Sequence, residues 1–294
     1  MKTNRTPLLP LLFSLGIHAL VLTGCNNDAL SLSDNTAQTS EQKDTTEKKE
    51  KNMKQEKKEK TEKKEKKPTP QPTSDAEAVM AQYKKADAYT ILDTKSLTKE
   101  ELSSFFTIQK ISDRVFDRMY KKSYKEDCTV PRSELRYLRV LHADGEGNTR
   151  IGELVVNKSI AKDCKEIFYK LYKRNYPIEK MVLVDEYDAD DNESMADNNT
   201  SSFNYRVVEG TTNLSKHSLG LAIDINPRYN PYIHTLNGEV VCSPANGADY
   251  QDRTKEFPYK IDTEDYAYQL FTSYGFQWGG AWNSSKDYQH FQKE

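Results

Sequence analysis

The sequence has few cysteines, few long apolar runs and no excess of charge of either sign. Its 294 residues include 4 Cys, 43 basic and 45 acidic residues. Outside residues 8–21, no stretch approaches the roughly 18 apolar residues that a membrane-spanning helix needs. There is no internal repeat, and residues 76–294 are mildly acidic. These features exclude a multi-span membrane protein and argue against nucleic-acid binding.

The beginning of the chain has the pattern of a secretory signal. Lys2 and Arg5 precede an apolar run from Leu8 to Val21, which ends in Leu22-Thr23-Gly24-Cys25. The last four residues resemble a bacterial lipobox. This resemblance implies cleavage after residue 24, acylation of Cys25, and a lipid-anchored protein facing the cell wall or periplasm. A plain signal peptide and an uncleaved helix are the alternatives.

Residues 25–75 are predicted to be a disordered tether. From Glu41 to Lys67 there are 12 Lys and 8 acidic residues, and Pro68-Thr69-Pro70-Gln71-Pro72 follows. Such a composition buries too little apolar surface to offset chain entropy. The small net excess of Lys favours a solvated linker over a site for nucleic acid or anionic membrane.

Residues 76–294 are predicted to form an α+β domain, with a small, mostly antiparallel sheet flanked by helices. Helices are expected over 76–85, from a capping box at Thr98, over 108–119 and 158–173, and over 264–274. Strands are expected over 135–142, 151–156, 181–184, 219–225, 276–280 and 288–292. Residues 185–200 are expected to be a solvated loop near the site, and 231–262 to be mostly loop.

Two short motifs could bring together the side chains of one metal centre. The first runs from Ser215 through His217 to Asp224, and the second joins Asp287 to His290. Two neutral His and one Asp suit zinc, and a position left to water makes such a site catalytic. A peptide hydrolase also needs a general base, for which Asp287 is the candidate.

Other polar and aromatic residues could also contribute to this centre. Arg206 could clamp a carboxylate or stabilise an oxyanion. Trp282 could form a cleft wall, whereas Tyr229, Tyr232 and Trp278 are expected to be ordinary core or surface aromatics. We expect a structural or exposed role for His142 and a surface position for His234.

The cysteines after residue 25 are Cys128, Cys164 and Cys242. They allow at most one disulfide, and the sequence does not select the pair. Cys164 falls on the apolar face of a predicted helix and is expected to be a buried thiol.

The motif Ser215-x-His217-x-x-Gly220-x-Ala222-x-Asp224, followed by Asp287-x-x-His290-Phe291, resembles the zinc D-alanyl-D-alanine carboxypeptidases. These are related to VanX-type dipeptidases, L-alanyl-D-glutamate endolysins and the hedgehog and lysostaphin zinc fold. The resemblance covers about residues 130–294. It implies zinc on His217, Asp224 and His290, acid–base catalysis by Asp287, and substrate orientation by Arg206. Ser215 and Trp282 are further candidates for substrate contacts.

The sequence departs from this family's pattern after Phe291, where Gln292 stands in place of the commoner Glu. The expected activity is removal of the terminal D-Ala from peptidoglycan stem peptides. An endopeptidase for L-Ala-D-Glu and a non-catalytic, zinc-containing wall-binding lipoprotein are the alternatives. Hydrolysis of free D-Ala-D-Ala is disfavoured, because an exported protein would not meet a substrate made in the cytoplasm. The sequence leaves the scissile bond, the membrane leaflet and the oligomeric state open.

Overall fold

A computed structural model describes residues 73–208 and 211–294, which all belong to one compact unit. The α-helices are α1 (Ser74–Lys85), α2 (Lys99–Ser103), α3 (Asp113–Met119), α4 (Ala161–Lys173), α5 (Asp191–Ala196) and α6 (Tyr266–Ser273). The strands are β1 (Thr107–Lys110), β2 (Leu135–Ala143), β3 (Thr149–Asn157), β4 (Ala222–Asp224), β5 (Tyr232–Leu236), β6 (Glu239–Ser243), β7 (Gln277–Trp278), β8 (Lys286–Asp287) and β9 (His290–Gln292). Single 3-10 turns cover Arg132–Glu134, Val184–Tyr187, Lys216–Leu219, Ala245–Tyr250 and Gly279–Ala281.

Three small antiparallel sheets organise the described residues, as the predicted α+β class requires. Their strand orders are β1-β2-β3, β4-β9-β7 and β6-β5-β8. Helix α4 packs on β2 through an apolar face that includes Ile167 and Phe168. The same hydrophobic core continues to Ile223 on β4 and Phe291 on β9. The strands that carry Asp224 and His290 are therefore anchored in the main core.

Several sequence predictions agree with these elements. The capping box is formed, because the Thr98 side chain accepts from the Glu101 amide while the Glu101 side chain accepts from the Thr98 amide. The predicted hairpin is β2 and β3, and the predicted helix over 264–274 is α6. Gly275 follows α6 with a φ of 82°, the left-handed conformation that favours glycine after a helix.

Other local predictions are wrong for identifiable reasons. Ile108 lies in β1, where it pairs with Leu138, so the helix predicted over 108–119 begins only at Asp113, after its cap Ser112. The apolar residues 181–183 are buried but belong to no regular strand, and a 3-10 turn follows them. In both segments the apolar pattern correctly marked residues that pack against the core, but it did not determine the backbone conformation.

Two predicted loops contain regular structure. Residues 185–200 include helix α5, and Asp185, Asn198 and Asn199 within them are buried. Residues 231–262 contain the β5–β6 hairpin and a 3-10 turn. Polar composition suggested solvated loops, but hydrogen bonds satisfy these polar groups inside the fold, such as that from the Val182 amide to Asn199 Oδ1 at 2.8 Å.

The predicted signal peptide over 1–24, the lipidation site at Cys25 and nearly all of the predicted linker over 25–75 lie outside the described residues. Within the described part of the chain, no helix is long and apolar enough to cross a membrane. Cys128, Cys164 and Cys242 are free thiols, and Cys164 is fully buried as expected.

Candidate metal centre

A 3-10 turn places the first imidazole of the centre. Ser215 caps this turn, because its Oγ accepts a hydrogen bond from the His217 amide at 3.2 Å. Gly220 ends the turn with a φ of 66°. A side chain at Gly220 would place its Cβ only 2.7 Å from the Asn157 amide nitrogen on β3. The Ser-x-His-x-x-Gly spacing thus fits a tight turn pressed against the first sheet.

Strand pairing places the other two groups of the centre. β4 and β9 are antiparallel, and their register sets Asp224 directly opposite His290. Residues opposite one another on an antiparallel pair bring their side chains together on one face. Buried Ile223 and Phe291 hold this pair of strands in the core. Two three-residue strands thus bring together Asp224 and His290, which are 66 positions apart in the sequence.

The ligating atoms of His217, Asp224 and His290 converge in a buried cluster. All three lie within 4.8 Å of one another. His217 Nε2 lies 3.1 Å from Asp224 Oδ2 and 3.1 Å from His290 Nδ1. His290 Nδ1 lies 3.0 Å from Asp224 Oδ1. The structure therefore brings together the three residues that the sequence predicted as metal ligands.

Hydrogen bonds on the far side of each imidazole orient the rings. His217 Nδ1 donates to the Ser202 carbonyl at 2.6 Å, and His290 Nε2 donates to Gln292 Oε1 at 3.0 Å. In the neutral rings, these bonds leave the lone pairs of His217 Nε2 and His290 Nδ1 facing the shared space. Such partners are typical of metal-binding histidines, since they fix the tautomer and the ring orientation.

The electrostatics of the cluster favour a cation. Burial by itself would raise the pKa of Asp224, but the charges and hydrogen bonds of His217 and His290 hold that pKa well below its usual range. Burial would likewise lower the pKa of His290, but the hydrogen bond and charge of Asp224 raise it to about 9. A proton is therefore retained among these groups, in the space where a metal ion would bind.

The donor set fits zinc. It consists of two imidazole nitrogens and one carboxylate, which match the mixed N and O ligands that Zn²⁺ accepts in catalytic sites. Two converging nitrogen lone pairs and a carboxylate repel one another unless a cation or a proton lies between them. His217, Asp224 and His290 are accordingly the residues that would hold the ion.

Asp287 lies beside the cluster without belonging to it. Its Oδ2 is 4.0 Å from His290 Nδ1, and its Oδ1 is buried without a hydrogen-bond partner in the described part of the chain. Pairing of β8 with β5 sets Asp287 opposite Tyr232. Desolvation raises the pKa of Asp287 to about 7, with a further contribution from the charge of Asp224. A carboxyl group with such a pKa can both accept and release a proton near neutral pH.

A cleft of about 410 Å³ opens over the cluster. Arg206, Ser215 and Trp282 all line it, and the Trp282 ring centroid is 5.3 Å from that of His290. Ser215 is itself buried, and its hydroxyl serves as the cap of the 3-10 turn. The structure thus brings every predicted site residue of the folded domain to one cleft.

Arg206 has a partner that the sequence reasoning missed. Its guanidinium forms an ion pair with Asp191 on α5, which also accepts a hydrogen bond from Asn204 Nδ2 at 2.9 Å. Arg206 Nε is buried and lacks a hydrogen-bond partner among the described residues. Asp191 lies within the acidic stretch that was predicted to be a solvated loop near the site. Its position near the site agrees with that prediction, but no sequence pattern distinguished it from its acidic neighbours.

The remaining candidate residues take different places. His142 is buried in the first sheet, where its Nδ1 bonds to the Ile178 carbonyl at 2.7 Å, so its role there is structural. His234 was predicted to lie on the surface, but it is only 9% exposed and stacks on Tyr232 with ring centroids 4.3 Å apart. Tyr232 lines the metal cleft, contrary to its assignment as an ordinary aromatic, whereas Trp278 is a core residue as expected. The β5–β6 hairpin, which the sequence reasoning missed, explains both corrections.

Comparison with known proteins agrees with this geometry. Residues 209–293 match the family model described as D-alanyl-D-alanine carboxypeptidase. Neither a curated protein nor a solved structure matches the chain. The matched segment contains His217, Asp224, Asp287 and His290. This segment is therefore similar to the D-alanyl-D-alanine carboxypeptidase family, whose members are zinc peptidases.

Proposed function

We propose that this protein is a zinc-dependent peptidoglycan peptidase that removes the terminal D-Ala from stem peptides. The observation that carries the proposal is the buried cluster of His217, Asp224 and His290 with Asp287 beside it. The family match supports a zinc peptidase, and the narrower reaction is our proposal. A zinc ion bound there would polarise the scissile carbonyl and lower the pKa of a bound water.

Asp287 is proposed to move the proton. Its carboxylate accepts a proton from the attacking water and releases it to the leaving amine. Its placement about one water molecule away from the ligand cluster suits this role, since Oδ2 is 4.0 Å from His290 Nδ1. The raised pKa near 7 lets one group act in both directions. Because it is not among the three converging ligands, its removal should leave metal binding intact.

Arg206 is proposed to orient the substrate. Its ion pair with Asp191 fixes the guanidinium in the wall of the cleft. Guanidinium groups bind carboxylates through paired hydrogen bonds, so Arg206 would hold a carboxylate or carbonyl of the stem peptide. Trp282 and Tyr232 line the same cleft and would contact the apolar parts of the substrate.

The test of the reaction is mass spectrometry of a defined muropentapeptide incubated with the zinc-loaded chain. Loss of one Ala is the expected result. Internal cleavage would instead identify an endopeptidase and its bond. An unchanged peptide, with zinc confirmed in the protein, would support the non-catalytic wall-binding reading.

One observation favours the endopeptidase as the second candidate. Both cations that line the metal cleft already have carboxylate partners, since Arg206 pairs with Asp191 and Lys216 pairs with Glu294. A carboxypeptidase must bind a free terminal carboxylate, whereas an endopeptidase need not. The Glu294 side chain of the Lys216 pair is 71% exposed, so the pair is weak and a substrate carboxylate could replace Glu294 at little cost. This is why we place the carboxypeptidase first.

The proposed location is a bacterial membrane facing the wall, with the lipid on Cys25. The motif Leu22-Thr23-Gly24-Cys25 supports it. Incorporation of a labelled fatty acid into the wild-type chain, and its loss in Cys25→Ala, is the expected result. Equal labelling of both chains would contradict this part of the proposal.

A further inference from the structure

A second cleft, larger than the metal cleft, lies on the face of the first sheet. Its volume is about 700 Å³, within the range of pockets that bind small ligands. Its lining comes from the end of α1 and the residues after it, from α3, from the three strands of the first sheet, and from the 3-10 turn Val184–Tyr187. None of its lining residues lines the metal cleft. The proposed reaction therefore gives this cleft no role.

The charge of the second cleft is opposite to that of its domain. Residues 76–294 contain 29 basic and 34 acidic residues. The cleft nevertheless has three acidic lining residues against six cations, which are Lys84, Lys85, Arg114, Arg118, Arg139 and Lys180. A concave surface of one charge sign concentrates ligands of the other sign.

The floor of this cleft is internally neutralised. Glu153 is only 2% exposed, and it accepts hydrogen bonds from Arg118 Nη1 at 3.0 Å and from the Tyr137 hydroxyl at 2.5 Å. Arg118 Nη2 also bonds to Glu186 at 2.8 Å. Arg118 and the two glutamates are thus committed to one another. They shape the cleft. Lys180 pairs with Asp197, so Lys84, Lys85, Arg114 and Arg139 are the cations that set the charge of the cleft.

The cations around the floor have unused binding capacity. Within residues 73–208 and 211–294, no ion pair or side-chain hydrogen bond engages Lys84, Lys85 or Arg114. Arg139 donates to the Ala86 carbonyl and lies 4.7 Å over the Tyr83 ring, but its Nε is buried without a partner in that same part of the chain. Lys84, Lys85 and Arg114 are exposed, so their charges are accessible to a ligand in the cleft.

Aromatic rings form part of the walls. Tyr89 and Tyr187 line the cleft together with Tyr137. Tyr89 has a φ of 67°, a conformation unfavourable for a residue with a side chain, and Arg150 and Lys180 lie 4.0 and 4.9 Å from its ring centroid. Rings beside guanidinium and ammonium groups suit a ligand that carries both anionic groups and flat or apolar surfaces.

We propose that this cleft is a second binding site, which holds a carboxylate-bearing part of peptidoglycan away from the scissile bond. Lys84, Lys85, Arg114 and Arg139 would pair with the carboxylates, and the tyrosines would contact the intervening peptide or sugar. The ligand's identity rests on the proposed function, because peptidoglycan is the anionic polymer that a peptidase of this kind encounters. The cleft would add binding strength for a polymer without taking part in the reaction.

The test compares two variants of the full chain with equal net charge. In the cleft variant, Lys85→Gln is combined with Arg114→Gln. In the control, Lys99→Gln is combined with Lys162→Gln, two exposed lysines outside the cleft. Both variants also carry Asp287→Ala, so that bound polymer is not degraded, and unfolding curves establish that each is folded.

Co-sedimentation with insoluble peptidoglycan stripped of phosphate polymers is the readout. We expect the cleft variant to bind about tenfold more weakly than the control, with the difference reduced at high salt. Equal binding of the two variants would overturn the proposal, as would a difference seen only with wall material that retains its phosphate polymers. Cleavage of a short soluble stem peptide, measured with Asp287 intact, should be the same in both backgrounds. If the proposed function is wrong, neither protein will cleave the soluble peptide. The binding comparison would remain valid in that case, because it does not depend on cleavage.

Discussion

At the scale of single residues, the metal centre depends on groups that lie outside the space between the three ligands. The Ser202 carbonyl and Gln292 each accept a hydrogen bond from the outer nitrogen of one imidazole. Gln292 stands where the pattern that the sequence resembles more often has Glu, and here its amide oxygen orients His290. A neutral acceptor performs it without adding a negative charge to a buried site that already contains Asp224 and Asp287.

Replacing Gln292 should change zinc binding in a graded way. Gln292→Leu removes the acceptor for His290 Nε2, and we expect zinc affinity to fall between about 10-fold and 100-fold. Gln292→Glu keeps an acceptor and adds charge, so its affinity should equal or exceed that of the wild type. Competition against a chromogenic chelator measures both. Equal affinity in the Leu variant and the wild type would show that Gln292 does not support His290.

His142 should make stability sensitive to mild acid. Burial lowers the pKa of His142 to about 4 from an ordinary value of 6.5. Below about pH 6.5 the unfolded chain binds a proton that the folded chain does not, so stability is full above that pH and falls as the pH approaches 4. Between about pH 7.5 and about pH 5, this group should cost about 2 kcal/mol of the free energy of unfolding.

The variant His142→Phe isolates that contribution. Denaturant unfolding of the metal-free wild type and variant, each at both pH values, gives the two pH dependences. The wild type should lose about 2 kcal/mol more than the variant over this interval. Parallel pH dependences would mean that His142 is not held neutral in the fold.

At the scale of the elements, two short devices assemble the centre. One is the 3-10 turn that carries His217, and the other is the pairing of β4 with β9. Neither is long enough to be stable alone, since a two- or three-residue strand has few hydrogen bonds. Their stability comes from the core residues Ile223 and Phe291, which adjoin the ligands Asp224 and His290, and from the contact of Gly220 with β3.

Gly220 should be far less tolerant of substitution than a glycine of similar conformation. Gly220→Ala introduces left-handed strain and a Cβ only 2.7 Å from the Asn157 amide nitrogen. Gly147→Ala is the matched control, because Gly147 has a φ of 82° but no atom within 4 Å of its added Cβ. We expect the control to lose about 1–2 kcal/mol from strain, and Gly220→Ala to lose more and to bind zinc more weakly. Equal losses of stability and unchanged zinc affinity would argue against this account of the turn.

How much the sequence could predict also differs between elements. The β2–β3 hairpin and α4 are long and periodic, so their patterns identified them. The metal ligands were predicted from a specific motif, and the structure brings them together. Ile108 and residues 181–183 were assigned wrongly because short apolar runs look alike in helix, strand and buried coil. Asp191 takes its role from Arg206, 15 residues away, and no local pattern shows that pairing. The β5–β6 hairpin did have a local signal, because Asn237-Gly238 forms its two-residue turn with both φ angles positive, but the polar composition around it favoured a loop.

At the scale of the whole molecule, the metal cleft and the cleft on the first sheet differ in character within one compact unit. The smaller cleft contains the metal ligands, and the larger one presents cations on an otherwise mildly acidic domain. The first sheet supplies the walls of the larger cleft and, through Gly220, the support for the metal turn. A chain organised in this way would bind a polymer in the larger cleft and cut it in the smaller one.

Zinc should stabilise the whole fold if it binds at the cluster. A ligand that binds only the folded state adds about 2.7 kcal/mol at a free concentration of 100 times its Kd. We therefore expect zinc to raise the Tm of the metal-free wild type and to have little effect on His290→Ala. Thermal unfolding with and without zinc measures this, and an equal rise in both proteins would place the ion elsewhere.

The most direct test of the central claim measures zinc content and cleavage of a muropentapeptide in the same preparations of wild type and Asp287→Ala. Asp249→Asn, which alters an exposed carboxylate outside the metal cleft, is the control. The account predicts one zinc ion in all three proteins, with release of one Ala by the wild type and the control only. Full cleavage by zinc-loaded Asp287→Ala, or an intact peptide after incubation with the zinc-loaded wild type, would contradict it.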